Sequence, residues 1–335
     1  MYSNAERIPA MICRLYLAIR EPARTQYLKY LKKHFPNYSI IPVNTEDLCT
    51  GKEKYVKGKY KLEKEEEVRS LSRPESSGEA AEATGPGSFS ILLCDSDQGL
   101  EIAAAAKWPR IAISHPGNRD ESLMNAPWMI DSPSVLTQRF LCEIYCRYRK
   151  LPLTILCTDK FKVRELDRND LNLLLQLQLE NTGNPAACFF PETLFSETCS
   201  AGTEEDLSSS EPAQESFSRA ARYLENYISH QYPFYGYGFY AIEESIHKEM
   251  QAEGDDLAGK ALGIAGFYDG KEGIEIGYAL LKQYQGRGIL SEILPALIQY
   301  GIEQYEFDTI RALIKKENTA SLKLARKCGL KIIPL

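Results

Sequence analysis

The chain has 335 residues, a formal net charge of −6, 44% hydrophobic residues, nine cysteines and four histidines. That length allows two domains with separate cores, and the apolar fraction is ordinary for a soluble globular protein. The negative charge argues against nucleic acid as an obligatory partner, the scattered single cysteines and few histidines against a metal site, and the lack of a long apolar run against a membrane span. Met1 to Arg20 mixes charged and apolar residues, so no signal peptide is expected. A reducing cytoplasm fits best.

In chain order, residues 10–34 read as a helix, Ser39 to Val43 as a strand and Ser90 to Cys94 as a buried strand. Then come a helix over Gln98 to Lys107, a strand over Arg110 to Ser114, a short strand over Trp128 to Ile130 and a helix over Ser134 to Arg149. Strand and helix alternate, which predicts an α/β module with a parallel sheet over 1–150. Residues 51–87 interrupt it with Lys/Glu alternation and a Ser/Gly/Ala/Glu tract, the composition of a disordered insertion.

A boundary near Leu151-Pro152 opens a second domain over 151–335. Phe161 to Glu165 reads as a strand. Asp167 is placed to cap a helix carrying Asp170 and the run Leu171 to Leu179. After a second Ser/Glu/Thr-rich insertion at 196–216, a helix is expected over Phe217 to His230. Strands follow over Gly238 to Glu244, Lys260 to Tyr268 and Ile274 to Leu281, with Asp269-Gly270 as a turn. A helix over Gly288 to Tyr305, a strand over Thr309 to Ile314 and a helix over Asn318 to Cys328 complete the order.

The chemistry concentrates at Gln285-Gly286-Arg287-Gly288, between a strand and a helix whose apolar residues recur at 290, 293, 294, 297, 298 and 302. That spacing buries one helix face and fixes the N-terminus in space. Two glycines let the turn expose its N–H groups, and the helix start adds partial positive charge, which suits a diphosphate. Arg287 could reach a phosphate oxygen or point to solvent.

With Glu275-Ile-Gly-Tyr278, Tyr284 to Ile289, Glu317-Asn-Thr-Ala-Ser321 and Lys327-Cys-Gly-Leu330, residues 161–334 resemble the GNAT superfamily of acyl-CoA N-acetyltransferases, in particular its ribosomal-protein N-terminal acetyltransferase branch. The resemblance implies an α+β domain with a mixed, mostly antiparallel sheet flanked by helices, acetyl-CoA as cofactor and a primary amine as acceptor. The amine would belong to a small molecule, a protein N-terminus or a lysine. It implies that the backbone of Tyr278, Ala279 and Leu280 pairs with pantetheine, that Gln285, Gly286, Arg287, Gly288, Ile289, Leu290 and Ser291 hold the pyrophosphate, and that Asn318 reaches the cofactor where two central strands splay. Asn318 suits a plain helix N-cap equally well. Glu275 is the candidate base, with a solvated strand residue as the alternative and Glu272 as second choice.

Several residues depart from that pattern. Ala325 stands where many relatives carry a Tyr that protonates the thiolate, and the Tyr-rich run Tyr232 to Tyr240 offers other phenols or acceptor-pocket walls. Leu290 replaces a small residue and could crowd the phosphates. Pro295 removes one helical hydrogen bond. A further strand normally pairs with Lys331-Ile-Ile333, so an edge is expected to stay unpaired, unless the sequence is a piece of a longer chain or another segment or subunit supplies that strand.

In the first half, Ile91 to Asp97, Gly99 to Ala105, Pro109 to Ile113 and Trp128 to Asp131 resemble part of a haloacid-dehalogenase-like hydrolase, with Asp95 and Asp97 at its Mg²⁺ positions. The nucleophilic Asp is missing, so a degenerate, non-catalytic module is expected. The main alternative to an acetyltransferase is a non-catalytic acyl-CoA-binding sensor or scaffold. Oligomeric state stays open, a homodimer among the options.

Overall fold

The computed structural model describes residues 12–45, 89–180, 211–245 and 260–334. The protein divides into two compact units, Ala5–Lys150 and Leu151–Leu335. The whole of the 51–87 insertion call and residues 196–210 of the 196–216 call lie outside the described residues.

In the first unit, strands β1 (Ile12–Ala18), β2 (Ser39–Pro42), β3 (Phe89–Cys94), β4 (Arg110–Ile113) and β5 (Trp128–Ile130) form one parallel sheet of order β2-β1-β3-β4-β5. Helices α1 (Ala23–His34), α2 (Asp97–Ala105) and α3 (Gln138–Arg149) cover it. Side-chain alternation sends Leu15, Leu17, Ile91, Leu93, Ile111 and Ile113 toward α1 and α3. It sends Ala18, Leu92, Cys94 and Ala112 toward Leu100 and Ala103 of α2. The single helix expected over 10–34 is therefore corrected to a strand and a helix. β1 is buried on both faces, so its apolar run lacks the period that separates strand from helix, and Pro22 marks the break that the periodicity missed. The helix expected from Ser134 begins at Gln138, after a 3₁₀ turn at Pro133–Val135, where the Thr137 hydroxyl accepts from Phe140 N–H.

Asp95 and Asp97 sit at the carboxyl edge of this sheet. Asp95 is fully buried and its Oδ2 accepts from Arg20 N–H at 2.7 Å and from His115 Nε2 at 2.8 Å, while its Oδ1 has no partner among the described residues. The Gly117 N–H points at His115 Nδ1, which assigns the ring proton to Nε2. Asp97 accepts from the backbone of Ser122 and Leu123 at 2.8 and 2.7 Å. The unit's own donors thus hold both carboxylates.

The second unit carries a seven-stranded sheet of order β12-β11-β10-β9-β8-β7-β6. Its strands are β6 (Thr154–Cys157), β7 (Phe161–Glu165), β8 (Phe239–Glu244), β9 (Ala261–Gly270), β10 (Gly273–Leu280), β11 (Arg311–Ile314) and β12 (Lys331–Pro334). β6 to β10 run antiparallel, whereas β10, β11 and β12 are parallel. The sheet is mixed and mostly antiparallel, flanked by helices α4 (Leu171–Glu180), α5 (Glu211–Tyr235), α6 (Ile289–Tyr305) and α7 (Thr319–Lys327). β6 was not foreseen in the sequence, because its four residues follow a proline and have only two buried side chains. The Ser/Glu-rich stretch at 196–216 ends inside α5, which begins at Glu211. The turn between β9 and β10 falls on Lys271 and Glu272, two residues past the Asp269-Gly270 expected, and Gly273 supplies its positive φ of 116°. β12 pairs with β11 alone among the described strands.

Candidate functional site: a cleft between two parting strands

β10 is held along its whole length on one side, where Gly273 to Leu280 pair in register with β9. On its other side it meets β11 only at Glu275 opposite Arg311. Beyond that rung the two strands part. α7 starts beside the gap, because Asn318 ends the β11 connection and its side chain accepts from Ser321 N–H at 3.1 Å. The result is a cleft lined by Ile276, Gly277, Tyr278, Leu313, Ile314, Lys315, Asn318 and Ser321.

At the carboxyl end of β10 the chain makes a 3₁₀ turn over Lys282–Tyr284 and then the glycine turn. Gly286 and Gly288 have φ of 74° and 80°, the left-handed region that side chains other than Asn and Asp enter at a cost. Chain neighbours aside, no atom of the described residues lies within 4 Å of where a Cβ would stand at either position. Gly288 is the N-cap of α6, and no side chain caps that helix start. Its first N–H groups therefore have no side-chain acceptor among the described residues and carry the partial positive charge of a 17-residue helix. Arg287 sits over the Tyr284 ring, 5.5 Å from its centroid, and Gln285 donates from Nε2 to Leu280 O at 2.9 Å. Ile289 is buried, Leu290 is half-buried and Ser291 is exposed. α6 runs unbroken past Pro295, which is exposed.

The structure thus brings Tyr278, the turn at 285–291 and Asn318 to one end of β10. Ala279 and Leu280 are buried beside them. Asn318 does act as the helix N-cap, and it lines the cleft as well. Glu275 stands apart from this group, buried at the last β10–β11 rung, opposite Tyr268 on β9. Burial and the nearby Glu275 carboxylate hold the Tyr268 phenol above its ordinary pKa. Glu272 is exposed and lies 4.0 Å from Arg311 Nε.

Ala325 is fully buried. The hydroxyl that crosses the cleft comes from Tyr278, whose Oη donates to Ser321 O at 3.4 Å. Sequence reasoning overlooked Tyr278 as a side chain, along with Lys315 and Ser321; the strand alternation of β10 was the signal available for Tyr278. In the Tyr-rich run, Tyr232 is a core residue, its hydroxyl accepting from Leu166 N–H and donating to Phe239 O. Tyr240 is likewise buried, and Phe234 is exposed. Among the described residues no group of three or more His, Cys, Asp or Glu is placed to hold a metal ion.

Residues 195–331 match the family model described as acetyltransferase (GNAT) domain. That span lies wholly outside the Ala5–Lys150 unit, so it lends no support to the haloacid-dehalogenase resemblance of residues 88–152. The uncharacterized N-acetyltransferase p20 of Bacillus licheniformis is 38% identical over 68 residues, which are 19% of this chain and 38% of that protein. The uncharacterized protein YkkB of Bacillus subtilis (strain 168) is 31% identical over 80 residues, 23% of this chain and 46% of that protein. The chain therefore spans less than half the length of these curated relatives. A GnaT-family acetyltransferase structure from Bordetella pertussis, described as putative, shares 19% identity at a TM-score of 0.35, over 52% of this chain and 86% of that one.

Proposed function

We propose that the Leu151–Leu335 unit is an acyltransferase of the GNAT type that binds acetyl-CoA in the cleft between β10 and β11 and passes the acetyl group to a primary amine by direct attack in a ternary complex. The observation that carries this reading is that β10, whose edge borders the cleft through Ile276 to Tyr278, leads within the next ten residues into a positive-φ glycine turn at the start of α6, which has no side-chain cap among the described residues. An extended chain ending in a diphosphate has the shape and charge such a path accepts. The family-model match supports the same reading.

In it, the backbone of Tyr278, Ala279 and Leu280, which has no strand partner on the β11 side among the described residues, pairs with pantetheine. Gln285 to Ser291 take the pyrophosphate. Gln285 would first release Leu280 O, since its side chain occupies that carbonyl. Asn318 donates from its amide nitrogen, its oxygen being committed to the helix cap. The bound thioester supplies the activated acyl group. The protein's part is to hold it, exclude water and manage two protons. Glu275 takes the proton of the incoming amine, from the face of β10 that looks toward α4 and α5.

A panel of amines, covering small metabolites, polyamines, peptide N-termini and lysine peptides, tests the reading by release of free CoA thiol from acetyl-CoA. Amine-dependent release is expected for at least one class. Binding of acetyl-CoA with no release for any of them would favour the non-catalytic sensor instead.

A further inference from the structure

We propose that Tyr278 is the proton donor to the departing thiolate, a catalytic residue supplied from the strand. The inference rests on the acyl-transfer reading above and names a residue which that reading leaves unassigned.

Glu275 and Tyr278 are three residues apart, so they project to opposite faces of the sheet. The partners in register identify those faces. Glu275 lies opposite Tyr268, and its same-side neighbour Ala279 lies opposite Ile264, in the core shared with α4 and α5. Tyr278 lies opposite Ala265, and its same-side neighbour Ile276 lies opposite Phe267, which packs against Gly301 of α6. The cleft lies at the edge of β10, between the two faces. A group held in it meets the Tyr278 phenol, while the Glu275 carboxylate lies on the opposite face, back along β10 over Gly270.

Acyl transfer needs that separation. A C–N bond forms as the amine adds to the acyl carbon, and its surplus proton goes to Glu275. The C–S bond breaks, the electron pair stays on sulfur, and a proton must reach that sulfur to give free CoA. Of the groups lining the cleft, Tyr278, Lys315 and Ser321 carry exchangeable protons on oxygen or a charged nitrogen. A serine hydroxyl is far too weak an acid to match a thiol, whereas a phenol lies within about two units of one. Lys315 is already engaged in an interaction of its own. The Tyr278 hydroxyl is poised, its one side-chain bond among the described residues a long one of 3.4 Å to Ser321 O. Burial holds the phenol above its ordinary pKa, so it is protonated at neutral pH and regains its proton from solvent at the cleft mouth.

Tyr278→Phe removes one oxygen and keeps the ring. Three readouts apply to the purified full chain. Calorimetric affinity for acetyl-CoA is expected to stay within about twofold, and the thiol of bound CoA, followed by its ultraviolet thiolate absorbance, to titrate at higher pH than in the wild type. Turnover of acetyl-CoA is expected to fall about 10²-fold, whereas an acetyl aryl thioester, whose thiolate leaves without a proton, should lose little. Equal losses with both donors, or an unchanged titration of bound CoA, would overturn the proposal. Wild-type protein that binds no acetyl-CoA would overturn the underlying reading, and this inference with it.

Discussion

At the scale of single residues, two side chains separate chemistry from architecture. Glu275→Gln keeps the volume of a buried residue and removes its charge. Amine-dependent turnover should fall about 10²-fold while the melting temperature stays within a few degrees, as measured by thiol release and calorimetry. An unchanged rate would remove Glu275 from the reaction. Gly266 makes the opposite case. A Cβ there would stand 2.2 Å from Gly238 O, backbone that cannot give way, so Gly266→Ala should destabilise the unit by about 1–3 kcal/mol in denaturant unfolding. Sequence pattern reached the glycine turn and Asn318 because each has a local backbone signature, a positive φ or a helix cap. It overlooked the Tyr278 hydroxyl because which ring crosses a cleft depends on strand register and on how far two strands part, and neither is local.

At the scale of elements, the buried cation of β7 ties the first strands of the second unit together. Arg164 makes a two-pronged bond to Asp170 at 2.7 and 2.9 Å and donates from Nε to Glu243 on β8, while Lys162 reaches Glu243 at 2.6 Å. Although burial pulls the guanidinium down, Asp170 and Glu243 hold its pKa above the ordinary value. Arg164→Met leaves two buried carboxylates with too few donors, and a loss of about 3–5 kcal/mol is expected on thermal unfolding. A neutral result would show that water satisfies them. Sequence reading placed Asp170 beside a helix cap, which the structure reproduces through Asp167 N–H to Asp170 Oδ2 at 2.8 Å. The pairing with Arg164 needed the sheet. The same limit explains the misread helix over 10–34 and the missed β6: short strands buried on both faces, or pinned at an edge, carry little periodicity.

At the scale of the whole molecule, the alternating elements of the first unit and the strand meander of the second were legible, because each depends on an order of local patterns. The sheet order β2-β1-β3-β4-β5 was not, since it is set by crossovers. A global property follows from the aromatic cores. Burial lifts the phenols of Tyr27, Tyr227, Tyr232 and Tyr240 well above their ordinary value, and burial with Asp269 pushes Tyr237 up to about 12. Unfolded tyrosines ionise near about 10, so the folded state binds these protons more tightly. Their contribution is complete below about pH 10 and is lost as pH rises toward and past 12. Denaturant unfolding should therefore show stability falling steeply above pH 10, with tyrosinate absorbance appearing together with unfolding. Full ionisation of the native protein before unfolding would contradict this.

The central claim is a diphosphate site at the start of α6, and a matched pair of variants tests it most directly. Gly286 has a φ of 74° and open space around it, and both Asn and Asp tolerate that backbone, so Gly286→Asn and Gly286→Asp differ in charge alone. Titration calorimetry with acetyl-CoA is predicted to show wild-type binding, a modest loss in the Asn variant and at least a further tenfold loss in the Asp variant, as a like charge about 4–6 Å from a diphosphate requires. Equal affinity in the two variants, or no binding by the wild type, would contradict the account.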